Sequence, residues 1–517
     1  MPILDFYIIV VSNLIKPFAI ILICLLPCIA CFGQDDADDE ENEHKDGKPT
    51  ITVKSDSIEG TIKKIVGAVD SNYYLLVKKG LHPNYSIVKY NDKLSKKQAA
   101  AIFNSKDPQY KHKRFEKVLL ANGRMLLFTT ERIKTKDSTV ADITYVEPIN
   151  PQNLKIGKRD TLCKLLHDKK KSVLGRYIIT SPDSSKLGLI LFQKTSDKHL
   201  FRCIVKVYDT KLQLLWEAAK NIHCSKHCIN RKDDESFYGS NSNDAESVKA
   251  KMDDEGNVFI QSPNPVLMYK MNYNADTVKY YFYTYTNSGK SVKELGINGY
   301  KDNTIDMMDF YCRNDSIVFS GVCSKKTELS SLSILKYNFI YVPQGTFVYK
   351  YSPAADTVEK LLVNNISVLN RGGTLFQFIN AGEEGNIVLM VGAHLLKEKT
   401  SLASSTLYSS DKVIAVKRSN TGEISCMADV LTIFYEMYYW VGFYQDGYIH
   451  VIFNYYGKTY MATTGPDCEV MDTEEISKDK INTEKFGIGK DLGNGVFLYV
   501  QKNKKKKVYS FIKVESE

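Results

Sequence analysis

Short apolar runs of strand length alternate along this chain with tight polar turns, and the same pairing of turn and run keeps returning. In its clearest copy, EEGNIVLMV (Glu383 to Val391), the turn Glu384-Gly385-Asn386 leads into the apolar run Ile387 to Val391. Other copies are NGRMLLFTT from Asn122, EGNVFIQS from Glu255, DGYIHVIF from Asp446 and NGVFLYV from Asn494. Fainter ones are SNYYLLV from Ser71, SSKLGLILF from Ser184 and NDSIVFS from Asn314. A second run, often rich in Tyr and Val, follows each copy, and the spacing within the runs has the period of two that marks strands. A unit that recurs in this way predicts a repeat architecture.

From Thr50 onward the pattern predicts four strands, ITVKSDS, TIKKIVGAV, NYYLLVKK and YSIVKYN, and then a train of hairpins. RMLLFTTERI pairs with DITYVEPI, LGLILFQ with RCIVKVYD, NVFIQS with KYYFYTYT, and SIVFSG with TFVYKYS. NIVLMVG pairs with KVIAVKRS, YIHVIFNYY with TYMATT, and VFLYVQ with VYSFIKV. The leading strands stand about 50 to 70 residues apart, somewhat above the usual propeller repeat. Only KKQAAAIFNS, near Lys96, and the stretch around Ala245 read as short helices.

An array of sandwiches would group about seven strands per ~100 residues with Greek-key returns, whereas each unit here is a local meander. The expected fold is therefore all-β, a β-propeller over residues 50–517. Eight blades follow if every hairpin is one, and seven if one hairpin is an insertion. The final unit runs out at VYSFIKVESE while the first opens with a surplus strand, ITVKSDS. Pairing the two would close the ring and remove two exposed sheet edges.

Composition agrees with a large folded core: of 517 residues, 43% are hydrophobic and 25% charged, ordinary values for a globular protein. The 33 tyrosines against 2 tryptophans suit half-buried pleated surfaces, with the ring packed and the hydroxyl wet.

The N-terminus reads as targeting sequence. FAIILICLLPCIA, preceded by Lys16, is an uncharged apolar run closed by small residues, so residues 1–31 are expected to be a signal peptide or lipoprotein signal. In LLPCIAC, Ile29-Ala30 before Cys31 resembles a bacterial lipobox, with Cys28 where an aliphatic residue is usual; Cys31 would then carry the lipid. Cleavage before Gln34 and a retained membrane anchor are the other two readings, since ~18 apolar residues can just span a bilayer. Residues 32–49 follow as an acidic tether, QDDADDEENEHKDGK, with eight acidic residues between Asp35 and Asp46. A cysteine at the end of an apolar run, followed by an acidic stretch, resembles the exported lipoproteins of the Bacteroidota. That resemblance covers about the first tenth of the chain. It implies an outer-membrane or cell-surface location, with periplasm or secretion as the alternative, and it implies nothing about activity.

Without its first 48 residues, which carry a net −6, the chain has a formal charge of +15. A basic exported body favours acidic partners. The lysines are scattered, however, and the densest run, Lys504 to Lys507, reads as a solvated hairpin tip. Basic residues interleaved with aromatics, as single-stranded nucleic acid requires, are absent, so no nucleic-acid partner is expected.

Candidate chemistry is sparse. HCSKHC offers His223, Cys224, His227 and Cys228, the right ligand types for zinc or copper. Structural zinc sites draw their ligand pairs from separate segments, and with no second pair nearby the expectation is a surface loop without metal. The other cysteines of the body, Cys163, Cys203, Cys312, Cys323, Cys426 and Cys468, are single and dispersed. With Cys224 and Cys228 they make an even number that permits disulfides without specifying them. G-x-S-x-G, phosphate-binding glycine loops and H-E-x-x-H do not occur. An aromatic concentration from Phe434 to Tyr460 supplies Tyr438, Trp440 and Tyr444 as candidate platforms for a sugar ring, against the alternative of packing between blades. Glu436, Asp446 and His450 lie nearby as acid or base candidates.

The sequence thus leads to an exported binding or scaffold protein that engages a glycan or protein ligand and meets the membrane through a lipid anchor, with no cofactor. A polysaccharide-active hydrolase or lyase is the alternative, and a structural component of an envelope or secretion complex is the third reading.

Overall fold

The recurring polar turn joins the first and second strands of a four-stranded sheet. In the copy at Asn122-Gly123 both residues have positive φ, 48° and 67°, and Asp446-Gly447 repeats this at 48° and 92°. Such turns match the right-handed twist of the strands they join, and Gly, Asn and Asp adopt them at least cost. A computed structural model describes residues 49–516 apart from positions 136–138, 169–170, 231–246, 268–275, 301, 314–315, 329–338, 354, 366–373, 381–385, 398–405, 420–422, 433–439, 456–457, 478–487 and 504–507. The turn of the Glu383 copy and the expected helix around Ala245 lie outside these residues.

The described strands form eight four-stranded antiparallel sheets. The first contains β2 (Thr61–Val69), β3 (Asn72–Lys78), β4 (Asn84–Asn91) and β5 (Lys96–Asn104); the second, β6 (Lys113–Ala121), β7 (Arg124–Lys134), β8 (Thr139–Ile149) and β9 (Asp160–Asp168). The third has β10 (Val173–Thr180), β11 (Lys186–Lys194), β12 (Leu200–Asp209) and β13 (Leu214–His223), followed by a short helix, α1 (Lys226–Asn230). The fourth has β14 (Lys249–Met252), β15 (Val258–Pro263), β16 (Tyr280–Thr286) and β17 (Ser291–Ile297); the fifth, β18 (Asn303–Arg313), β19 (Ser316–Glu328), β20 (Phe339–Ser352) and β21 (Thr357–Asn365). The sixth has β22 (Thr374–Asn380), β23 (Asn386–Lys397), β24 (Thr406–Arg418) and β25 (Ile424–Thr432); the seventh, β26 (Trp440–Gln445), β27 (Tyr448–Tyr455), β28 (Lys458–Thr464) and β29 (Val470–Ser477). In the last sheet β30 (Ile488–Asp491), β31 (Val496–Asn503) and β32 (Val508–Glu515) are joined by β1 (Thr50–Asp56).

That final pairing, Thr50 opposite Glu515 through Asp56 opposite Tyr509, is the closure expected from the surplus N-terminal strand. The ring is also closed by packing. Ile62, Tyr73 and Leu75 of the first sheet share a core with Leu498, Val500 and Phe511 of the last. Similar cores join the first sheet to the second, the second to the third, and so on to the fifth, and join the sixth to the seventh and the seventh to the last. The architecture is the expected all-β propeller.

Because both faces of a sheet meet a neighbouring sheet, the middle strands are buried almost without alternation, as in β3 and β11. Strands covered on both faces read as continuous apolar runs, which is why their sequences are the conspicuous ones. Two expectations are corrected here. KKQAAAIFNS is not a helix: Lys96–Asn104 is the outer strand β5, paired with β4 from Tyr90 opposite Lys96 to Asn84 opposite Asn104. Its alanines favour a helix locally, but the open edge of β4 supplies a full ladder of partners, and tertiary context overrides a weak propensity. Among the described residues the tyrosines are not mainly half-buried either. Tyr74, Tyr90, Tyr280, Tyr283, Tyr285 and Tyr499 are among the largest fully buried side chains. Burial is tolerable where the hydroxyl finds an internal acceptor, as Tyr90 does at 2.7 Å from Asp56 and Tyr74 at 3.0 Å from the Pro151 carbonyl.

Candidate functional site

Of the three candidate platform residues, Trp440 and Tyr444 are among the described residues. Trp440, the first residue of β26, is 4% exposed and lies in the core between the sixth and seventh sheets with Ile387, Ala428 and Ile449, so its faces meet apolar side chains rather than a sugar. Tyr444, at the other end of the strand, is half-buried against the same core. Lys417 lies over its ring, 5.2 Å from the centroid, with its ammonium 3.4 Å from the phenol oxygen. Tyr438 and Glu436 fall outside the described residues. His450 is buried, stacked on Phe443 at 4.8 Å and 3.0 Å from the Thr463 hydroxyl. Burial pushes its pKa down to about 4, partly offset by Asp446. A packing role accounts for Trp440 and His450.

The HCSKHC segment is likewise divided by its backbone. His223 closes β13 with its ring stacked on Tyr281 at 4.3 Å and its Nε2 3.7 Å from Glu294. Cys224 and Cys228 turn into the core between the third and fourth sheets, whereas His227, on α1, is exposed. The Ser225 hydroxyl lies 3.1 Å from the Cys228 sulfur. Contact with Cys224 and this hydroxyl hold the Cys228 thiol down to about 7 despite burial, while burial raises Cys224. Among the described residues, no three His, Cys, Asp or Glu side chains are grouped so as to hold a metal ion. Among the described residues one disulfide is formed, between Cys426 of β25 and Cys468 in the turn before β29, tying the sixth sheet to the seventh.

Two polar constellations that the sequence did not reveal stand out. The first is an ionic network between the second and third sheets. Asp142 of β8, nearly fully buried, accepts from Arg132 of β7 at 3.0 and 3.1 Å and from Arg176 of β10 at 3.1 Å, and its other contact is the His167 Nε2 of β9 at 2.5 Å. The second nitrogen of His167 donates to the Asp168 carbonyl at 2.8 Å. Burial raises the Asp142 pKa, but the two guanidiniums and the imidazole outweigh it and hold the carboxyl below its ordinary value. Both ring nitrogens of His167 are engaged, so the network fixes two sheets together rather than offering a base to a substrate.

The second constellation is a set of lysines on the innermost strands. The first strands of successive sheets lie side by side around the ring, and their lysines reach across to the next inner strand. Lys117 of β6 donates to the Ile178 carbonyl of β10 at 2.9 Å, Lys249 of β14 to Met308 of β18 at 3.2 Å, and Lys490 of β30 to Val66 of β2 at 2.7 Å. Lys251 of β14 donates to the Phe310 carbonyl of β18. Inner strands are sheet edges with unpaired carbonyls, and these ammoniums occupy them. β-Bulges set the aim: the register slips between Ile62 and Lys64 in β2 and between Phe115 and Lys117 in β6, which puts Lys64 and Lys117 at equivalent places in adjoining sheets.

The charges around these lysines differ from one side of the ring to the other. Lys249 and Lys251 share Asp309, at 3.6 and 3.2 Å, and burial of that carboxyl is outweighed by the two ammoniums, which hold it down to about 2. Around β2 the charges of Lys117 of β6 and Lys490 of β30 both act on Lys64, and Asp491 of β30 acts on Lys490. Burial first, and then the charges of Lys117 and Lys490, push the Lys64 pKa down to about 5, and burial brings Lys490 to about 8 with Asp491 opposing. Lys64, Lys117 and Lys490 are each half-buried, with part of the side chain still in solvent. A lysine whose folded pKa lies at about 5 rather than 10.5 binds fewer protons than it does unfolded between those values, so stability rises with pH across that window. Lys64→Met is therefore expected to stabilise the protein at neutral pH by about 1–3 kcal/mol and to flatten this slope. Urea midpoints between pH 6 and pH 9 test it, and a variant less stable than wild type throughout would contradict it.

No family model matches the chain, and no curated protein does. Solved structures similar to it include the β-propeller domain of the Trilobed protease from Pyrococcus furiosus, with 12% identity over 78% of this chain and 93% of that one, at a TM-score of 0.35. The polysaccharide lyase Uly1 is similar over 94% of this chain and 93% of its own, with 10% identity and a TM-score of 0.36. Prolyl oligopeptidase B from Galerina marginata matches over 87% of this chain and 56% of its own, with 8% identity and a TM-score of 0.36.

Proposed function

We propose that the protein is an exported binding module, tethered to a membrane by a lipid on Cys31, whose propeller engages a glycan or protein ligand. The observation that favours binding over catalysis is the way three described acid and base groups are held. Asp142, His167 and His450 are buried, with Asp142 and both ring nitrogens of His167 turned to internal partners and the His450 Nδ1 to Thr463, and a group that must exchange protons with a substrate needs to be within hydrogen-bond reach of it. The Cys426–Cys468 bridge supports export, because disulfides persist in oxidising compartments and are rare in the cytosol.

Fractionation and intact mass of the natively expressed protein, with Cys31→Ser alongside, test the anchor. The wild type is expected in the membrane fraction carrying lipid, and the variant outside it; two proteins that behave alike and begin near Gln34 would remove the anchor from the reading. Titration of the purified propeller against a panel of neutral and acidic polysaccharides, with their chain lengths followed over time, tests the rest. Binding without shortening supports a binding module, and progressive cleavage would make it an enzyme.

A further inference from the structure

We infer that the end of the second and third sheets opposite the recurring turns is a docking surface for an acidic polysaccharide, a chain bearing carboxylate or sulfate groups, held by Lys111, Lys134, Lys171, Lys194 and Lys198. The inference rests on the binding-module reading and deepens it, naming the class of glycan and the part of the propeller that meets it.

Strand direction places these lysines at one end. The recurring turn joins the first strand of each sheet to the second, so the second strand runs away from it and finishes on the far side. Lys134 and Lys194 close β7 and β11, Lys111 and Lys171 lie just before β6 and β10, and Lys198 lies in the turn from β11 to β12. Printed in the backbone is a continuous band. Lys113 sits opposite Glu131 where β6 meets β7, so Lys111 and Lys134 leave that ladder side by side. Arg132 donates to the Val173 carbonyl at 2.9 Å, which sets the end of β7 beside the start of β10 and Lys134 near Lys171. The Lys194 N–H donates to the Ser172 carbonyl at 3.1 Å, which brings Lys194 next to Lys171.

The band is positive and unmatched. All five side chains are exposed, and among the described residues none is paired with a carboxylate. The acids around them are engaged: Glu131 pairs with Lys113, Asp142 with its two arginines, Asp197 accepts the His199 N–H at 2.8 Å, and Asp168 has a partner of its own. At the turn end of the first three sheets the charges are mixed instead, with Asp92 beside Lys93 and Asp209 two residues from Lys211. One exposed lysine holds a small ion weakly, because water and salt screen it. Several in a row hold a chain of anions, since each contact raises the effective concentration for the next and bound counterions are released.

Two observations select the class of polyanion. Nucleic-acid bases need aromatic faces to stack on, and no described Phe, Tyr or Trp side chain is exposed. A membrane is disfavoured by where the chain enters. Thr50 lies opposite Glu515, and the next residue, Ser516, donates its N–H to the Gly495 carbonyl in the recurring turn of the last sheet at 3.0 Å. With the proposed lipid on Cys31, the anchoring segment joins the propeller at the turn end, and the lysine band is at the other.

The test titrates polygalacturonate, and separately uncharged dextran, into the purified protein by calorimetry, and measures cosedimentation with vesicles of phosphatidylcholine and phosphatidylglycerol. Wild type is expected to bind polygalacturonate and not dextran, at least tenfold more weakly at about 200 mM salt than at about 50 mM. The triple variant Lys134→Gln, Lys171→Gln, Lys194→Gln should lose tenfold or more of that affinity. Lys93→Gln, Lys155→Gln, Lys211→Gln, with the same change of net charge at the turn end, should bind as wild type does. All six positions are exposed, and circular dichroism confirms that both variants fold. No binding of polygalacturonate, or equal loss in the two variants, overturns the inference, as does binding of the vesicles alone. The binding-module reading fails separately: polygalacturonate held by these lysines and progressively shortened leaves the docking surface standing on an enzyme.

Discussion

Replacing Asp142 with alanine will cost the fold about 3–5 kcal/mol, the loss that follows when one partner is removed from a buried ionic network. The carboxylate is the point where Arg132, Arg176 and His167 meet, and the Arg176 and His167 side chains are only 7% and 2% exposed. Alanine leaves the His167 imidazole without its carboxylate and Arg176 with Glu116, 3.8 Å away, as its remaining ion pair, and opens a gap between the second and third sheets. The pH dependence has a definite sign. Because the folded carboxyl titrates below its unfolded value, its contribution is complete above about pH 4 and is lost as pH falls through the folded pKa. Urea midpoints of wild type and variant should therefore differ at pH 7 and converge in acid. Equal midpoints at pH 7 would show that the network adds nothing.

Removing the Cys426–Cys468 bridge is expected to cost about 2–4 kcal/mol. The two cysteines are 42 residues apart, so the bridge closes a loop of appreciable length in the unfolded chain, and in the folded one it ties β25 to the turn between β28 and β29. The double variant Cys426→Ala, Cys468→Ala should melt lower than the oxidised wild type and close to the reduced wild type. Reductant should leave the variant unchanged. If reductant lowers both equally, the stabilisation belongs to some other pair of thiols.

The parts of this fold that could be read from the sequence are those in which one strand shows its own environment. The second and third strands of each sheet are apolar throughout because both their faces are covered, and the turn between first and second strands needs residues that accept positive φ. Inner and outer strands are quieter. Lys96–Asn104 looked helical because its alanines were judged alone, without the edge of β4 that pairs it. The lysines looked scattered because Lys64 and Lys490 become neighbours only when the ring closes. HCSKHC had the right ligand types, but the turn from β13 into α1 sends two side chains into the core and one to solvent. A signal was nonetheless present: a lysine recurs in several inner strands, in TIKKIVGAV, KRFEKVLLA, KAKM and IGKD.

The pairing of β1 with β32 carries a consequence for the order of assembly. Each of the other described sheets is built from strands that follow one another along the chain, whereas Thr50 must wait for Glu515. Contacts of such large sequence separation are the slowest to form. A chain made from its N-terminus therefore holds β1 as half of a clasp long before β32 exists to complete it. Until then the ring remains open, and that interval is when its unpaired edges are most vulnerable to aggregation.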